Sequence, residues 1–202
     1  MKKAIKFTVA IFVIAGLILI FGKREWFPEF YRPQFMGVMA FISAFLIILP
    51  SLIFKFPDDP LKQKTLKFFQ NVLITALLLN GLGALGFYNF YKIGLEYDKL
   101  LHFITPFLSV MALGRFGFNW YEWNFKKSII LSAVLVIIGG FLWELFQFLG
   151  DTFFKTQMMG YYGKFIIKDT VWDLIMNLFG ITAGVLGLII FKSRIGRDYT
   201  KY

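Results

Sequence analysis

Cysteine is absent from this chain, which excludes disulfides, thiolate metal sites and cysteine nucleophiles. Histidine occurs once, at His102, so a structural zinc site built on Cys or several His is not available. Charge is scarce: 17% of the 202 residues are charged and 58% are hydrophobic. A soluble domain carries about 25% charged and 45–50% apolar residues. The interiors of the first three apolar runs hold no Asp, Glu or His.

What is present is apolar length. Six runs, 4–21, 35–54, 69–91, 99–116, 127–150 and 171–191, approach the roughly 20 residues that cross a bilayer as helix. The expectation is an all-α polytopic membrane protein: one integral membrane domain over 1–202, folded as a six-helix transmembrane bundle. The first run opens on Lys2 and Lys3 in the manner of a signal peptide. Its exit, Phe21-Gly22-Lys23-Arg24, lacks a small-x-small cleavage pattern, so a retained helix is expected.

Net charge is +10. In a soluble chain that would suggest nucleic acid, but no basic stretch here forms a reading helix or an aromatic platform. Basic loops instead anchor helices to anionic lipid. With a cytoplasmic N-terminus, 14 of the Lys and Arg residues fall inside and 8 outside. Both termini are then cytoplasmic, in a multi-pass protein of the cell membrane whose partners include membrane lipids and exclude nucleic acid. Pro57 and Pro60 break the connection between the second and third runs. Trp120, Tyr121 and Trp123 read as an interfacial aromatic belt. The long apolar loop 151–170, with Gly160 and Gly163, reads as a lid or re-entrant turn.

The few ionisable residues at membrane depth gather at one end of the last three runs. Such residues cost about 2.5–3.5 kcal/mol on insertion scales and usually mark a site. Asp98 and His102 are i and i+4, with Thr105 and Ser109 continuing the face. Glu144, Gln147 and Asp151 share a face of the fifth run, with Glu144 about 9 Å inside the helix end. Asp169, Asp173 and Asn177 form a third stripe. First-turn acids explain Asp98 and Asp169 equally well. Capping does not explain Glu144 or Asp173. Antiparallel connectivity brings the three stripes to one face, which the Lys and Arg count makes extracytoplasmic.

Two carboxylates there repel and resist desolvation. Shared protons, Lys99 or Lys168, a divalent cation, or a cationic substrate would offset that. A hard divalent cation with His102, Glu144 and Asp173 as ligands is chemically reasonable. His102 is equally placed as a general base oriented by a carboxylate.

These residues resemble the VanZ-like membrane proteins and the related YjdF-like bacterial inner-membrane proteins. The matching pieces are Asp98-Lys99-Leu100-Leu101-His102-Phe103, Trp143-Glu144-Leu145-Phe146-Gln147, and Asp169-Thr170-Val171-Trp172-Asp173-Leu174 with Asn177 and Gly180. The resemblance covers residues 97–187. Where VanZ-like proteins often carry an Arg between the second and third motifs, this chain offers Lys155, Lys164 and Lys168. The resemblance implies a cell-envelope membrane protein, with some VanZ-like proteins associated with teicoplanin resistance. It supplies no reaction.

Three functions stay open. The first is an extracytoplasmic acid–His pocket that binds or processes an amphiphilic lipid or lipid-linked ligand, with or without a metal. As a hydrolase or transferase at a phosphate or ester it would use His102, Glu144 and Asp173. Asp98, Lys99, Gln147, Asp169 and Asn177 would then line the substrate. The second is a small proton- or cation-coupled transporter. The third is a non-catalytic accessory protein in which the polar cluster fixes helix register.

Overall fold

A computed structural model describes residues 3–27, 30, 32–54, 57–156, 158–159 and 166–192. Among them run six long helices and no strand: α1 (Lys3–Phe21), α2 (Pro33–Ile53), α3 (Pro60–Ala84), α4 (Tyr97–Asn119), α5 (Phe125–Leu149) and α6 (Ile166–Ile190). Each is long and apolar enough to cross a membrane. The shortest, α1, has 19 residues. At 1.5 Å per residue that is about 28 Å, close to the thickness of the hydrocarbon core.

The helix ends follow local chemistry more than hydropathy. α3 occupies Pro60–Ala84, shifted toward the N-terminus from the expected 69–91. Its start is set by Asp59, whose carboxylate accepts the Leu61 amide at 2.7 Å, with Pro60 filling the first helical position. Lys62, Lys64 and Lys67 lower the hydropathy of this first stretch and hide it from an apolar-run criterion. Its far end is cut at Gly86, whose φ of +131° ends the helix and starts a short 3₁₀ segment, Phe87–Ile93. α4 runs on past 116 to Asn119, and the guanidinium of Arg115 within it lies 5.2 Å from the Phe68 ring. Asn124 caps α5 by accepting the Lys127 amide at 2.8 Å. A π-helical turn, Gly150–Phe154, continues α5.

Two apolar cores hold the helices. Ile5, Phe12, Ala40, Ala44 and Ile47 join α1 to α2, with Ile74 and Leu77 of α3 against them. Val110, Phe118, Val136, Ile181 and Leu188 join α4, α5 and α6. The outward faces remain apolar, as along α5 at Leu135, Ile138, Phe141, Leu142 and Leu145, which suits lipid rather than water.

The closest approach in the second unit is between α4 and α6, and small residues permit it. A side chain at Gly180 would strike the Phe103 carbonyl, and one at Gly184 would come within 2.9 Å of the Phe107 carbonyl. With these positions bare, the α6 backbone lies directly against α4, and this contact sets the geometry of the polar cluster.

Candidate functional site

α4 and α6 start at the same end of the unit, so their first turns face each other. Lys99 Nζ donates to Asp169 Oδ1 at 2.7 Å and to Asp173 Oδ1 at 2.6 Å, and stands 3.6 Å from Asp98 Oδ2. Lys99, one of the groups expected to offset the carboxylates, is thus the counter-ion of three of them. Lys168, the other candidate, is exposed. Asp98 and Asp169 both lie in the first turns of their helices. Their contacts with Lys99 go beyond capping.

One turn deeper, His102 divides the cluster. Its Nδ1–H donates to Asn177 Oδ1 at 3.2 Å, with Glu144 Oε1 on the same side at 3.8 Å. Nε2 faces Asp98 Oδ1 and Asp173 Oδ1, each at 3.7 Å. Those distances are too long for hydrogen bonds. His102, Glu144, Gln147, Asp173 and Asn177 are all buried. The structure therefore brings six of the anticipated residues, Asp98, Lys99, His102, Glu144, Asp173 and Asn177, around one imidazole, and joins Asp169 to them through Lys99.

The cluster is not balanced. Four carboxylates face one ammonium and one imidazole. Glu144 Oε1 is sealed from solvent and has no hydrogen-bond partner. A buried polar atom left without a partner costs about 1–3 kcal/mol, and more when charged. The oxygen is aimed at His102.

Donor atoms of Asp98, His102 and Asp173 lie within 4.8 Å of one another, the spacing of a cation site. The expected ligand trio contained Glu144 in the place of Asp98. Glu144 approaches the same ring from the Asn177 side, 3.8 Å from Nδ1.

Two of the polar residues on α5 and its extension turn elsewhere. Gln147 Nε2 points to the Met158 carbonyl at 3.5 Å, a long contact with the following loop. Asp151 organises that loop: Oδ1 accepts from Thr156 Oγ1 at 2.6 Å and the Met158 amide at 2.7 Å, and Oδ2 from the Met159 amide at 2.9 Å. Its role is a turn built on one carboxylate. The rest of the expected lid, Gly160 to Gly163, lies outside the described residues.

A family model described as "Predicted membrane protein (DUF2238)" matches residues 4–194. The chain belongs to that family. It is the YjdF-like family of the sequence resemblance, and it extends over all six helices, whereas the motifs covered only the last three. A Thermotoga maritima protein named "Uncharacterized protein" is 27% identical over 122 residues, which cover 56% of this chain and 57% of that protein. No solved structure matches.

One neighbour of the site carried no signal in the sequence. Tyr88, in the 3₁₀ segment after α3, donates to Asn80 Oδ1 at 2.7 Å, and its ring packs 5.8 Å from that of Tyr97. Burial, and after it the charge of Asp98, holds its phenol above the ordinary range, so it stays a neutral hydrogen-bonding group. A lone Tyr in an apolar segment has no periodicity that would flag it.

Proposed function

We propose that this membrane protein binds the polar end of an amphiphilic ligand, a membrane lipid or a lipid-linked envelope precursor. The binding place is the polar cluster around His102. The observation that carries this reading is the charge surplus, together with the buried, unpartnered Glu144 Oε1. A cluster that only fixed helix register would have its polar atoms satisfied internally. Here the protein supplies acceptors in excess, which suits a guest that brings positive charge or donors.

The surroundings favour an amphiphile. Leu100, Leu145, Val171 and Trp172 are exposed on the helices that carry the buried acids. A polar head enters among Asp98, Glu144, Asp173 and Asn177 while an acyl or polyprenyl chain lies along those outward side chains. The excess of Lys and Arg on the other side supports an extracytoplasmic pocket with both termini in the cytoplasm.

Lipid extraction tests the reading. The full chain is purified in mild detergent after growth in its native membrane, exchanged repeatedly, and its bound lipid identified by mass spectrometry. The wild type should retain one lipid class in excess of its membrane abundance, and Asp173→Asn should lose that enrichment. A lipid profile that mirrors the bulk membrane in both proteins overturns the proposal.

A further inference from the structure

The geometry points to a divalent first-row cation, Zn²⁺ or Mn²⁺, held by Asp98, His102 Nε2 and Asp173 at the outer edge of the pocket. This rests on the pocket reading above and adds to it the group that would meet the ligand's head.

Three observations converge. First, the two ring nitrogens face different partners. With Nδ1–H given to Asn177 Oδ1, Nε2 is left to face Asp98 and Asp173. A metal-binding His characteristically donates its other ring N–H to a carbonyl or carboxylate, which fixes the ring and raises its basicity. A bare imidazole lone pair aimed at two carboxylates is repulsive; a cation between them makes the same arrangement attractive.

Second, the spacing suits an ion. With metal–ligand bonds of about 2.0–2.2 Å, tetrahedral ligand atoms stand about 3.4 Å apart. Here Nε2 lies 3.7 Å from each carboxylate oxygen, and the three donor atoms fit within 4.8 Å. Contraction by a few tenths of an ångström closes the site. Lys99 does not prevent this. Asp169 holds it independently at 2.7 Å, and Asp173 Oδ1, which Lys99 meets at 2.6 Å, is the same oxygen that faces Nε2, so it gives one lone pair to the ammonium and has a second for the ion.

Third, the cluster gathers four carboxylates around a single ammonium. The buried Glu144 Oε1 has no hydrogen bond and is aimed at the same imidazole. Against four carboxylates and one ammonium, a divalent ion brings the cluster to within one charge of neutrality. One imidazole with two carboxylates matches ions that accept both nitrogen and oxygen ligands. Asp98 is the one ligand with substantial exposure, so the ion enters from the outer surface and keeps an open position toward the head group.

The test uses the full chain, purified in detergent without a histidine tag and stripped with chelator. It is then loaded with Zn²⁺ or Mn²⁺, desalted and assayed for metal by plasma mass spectrometry. The wild type should hold about one ion per chain. Asp98→Asn, whose side chain is exposed enough to fold normally, should weaken retention by about tenfold or more, and Glu144→Gln distinctly less. His102→Ala serves as a second variant, with melting temperature as the folding control. Three results would overturn the assignment: a wild type that holds no ion, an Asp98→Asn protein that holds as much as the wild type, or a Glu144→Gln protein that loses as much as Asp98→Asn. Lipid measured in the same samples separates the two proposals. Lipid retained without metal removes the ion alone. Metal retained without lipid removes the amphiphile alone.

Discussion

The two ends of α4 bury polar groups in opposite ways. At its last residue, Asn119 Nδ2 donates to Thr65 Oγ1 at 3.0 Å, and both residues are fully buried. Nearby, Gln70 Nε2 meets Ser51 Oγ at 2.5 Å. These are neutral groups paired helix to helix, the usual polar glue of a membrane bundle. Around the first turn, about 30 Å away along the helix, acidic groups outnumber their counter-ions and leave a carboxylate oxygen without a partner. Burial alone therefore does not identify a site. A single unpartnered atom does not identify one either, since Arg115 Nε, toward the other end of α4, also lacks a hydrogen-bond partner; the gathering of four carboxylates around one ammonium is what sets the first turn apart.

Variants at the two ends sharpen this contrast. Lys99→Met should have the largest effect. It strips Asp169 and Asp173 of their ammonium and should lower unfolding stability in detergent by about 3–5 kcal/mol, as breakage of a buried pair does. Little change would mean that the acids are neutral without Lys99. Next comes Gly180→Ala, whose new methyl meets the Phe103 carbonyl and pushes α6 off α4. A loss of about 1–3 kcal/mol is expected from overpacking, with reduced lipid retention because both halves of the pocket move apart. At the neutral end, Thr65→Val should cost about 0.6 kcal/mol, the average for such interhelical hydrogen bonds, and leave lipid retention unchanged.

The smallest effect on stability belongs to Glu144→Gln. It removes a charge that has no hydrogen-bond partner in the protein, so stability should stay within about 0.5 kcal/mol of wild type or rise. Lipid retention should nevertheless fall. A stability loss as large as that of Lys99→Met would assign Glu144 a structural partner and erase the difference between the two ends.

Much of this arrangement was legible from residue spacing. Six apolar runs of bilayer length leave few alternatives to a helical membrane bundle. Antiparallel order then puts His102, Glu144, Asp173 and Asn177 at one end. Helical spacing was sufficient there because each stripe lies on a single face. Lys99 was among the groups that could offset the acids, and its long flexible stem lets the ammonium reach across to α6. Spacing failed elsewhere. It failed for Asp151, whose partners are loop amides that only the chain reversal supplies. The side of the imidazole taken by each carboxylate also depends on how closely α6 approaches α4. That approach follows from Gly180 and Gly184 through packing, not through any charge pattern.

The central claim is that carboxylates from different helices act on a single guest. A double-mutant cycle in native mass spectrometry addresses it most directly. Retention of the bound species is compared among wild type, Glu144→Gln, Asp173→Asn and the double variant. Convergence on one guest predicts strongly non-additive losses, with the double variant scarcely worse than either single change. Independent, additive losses, or no bound species in any of the four proteins, would contradict it.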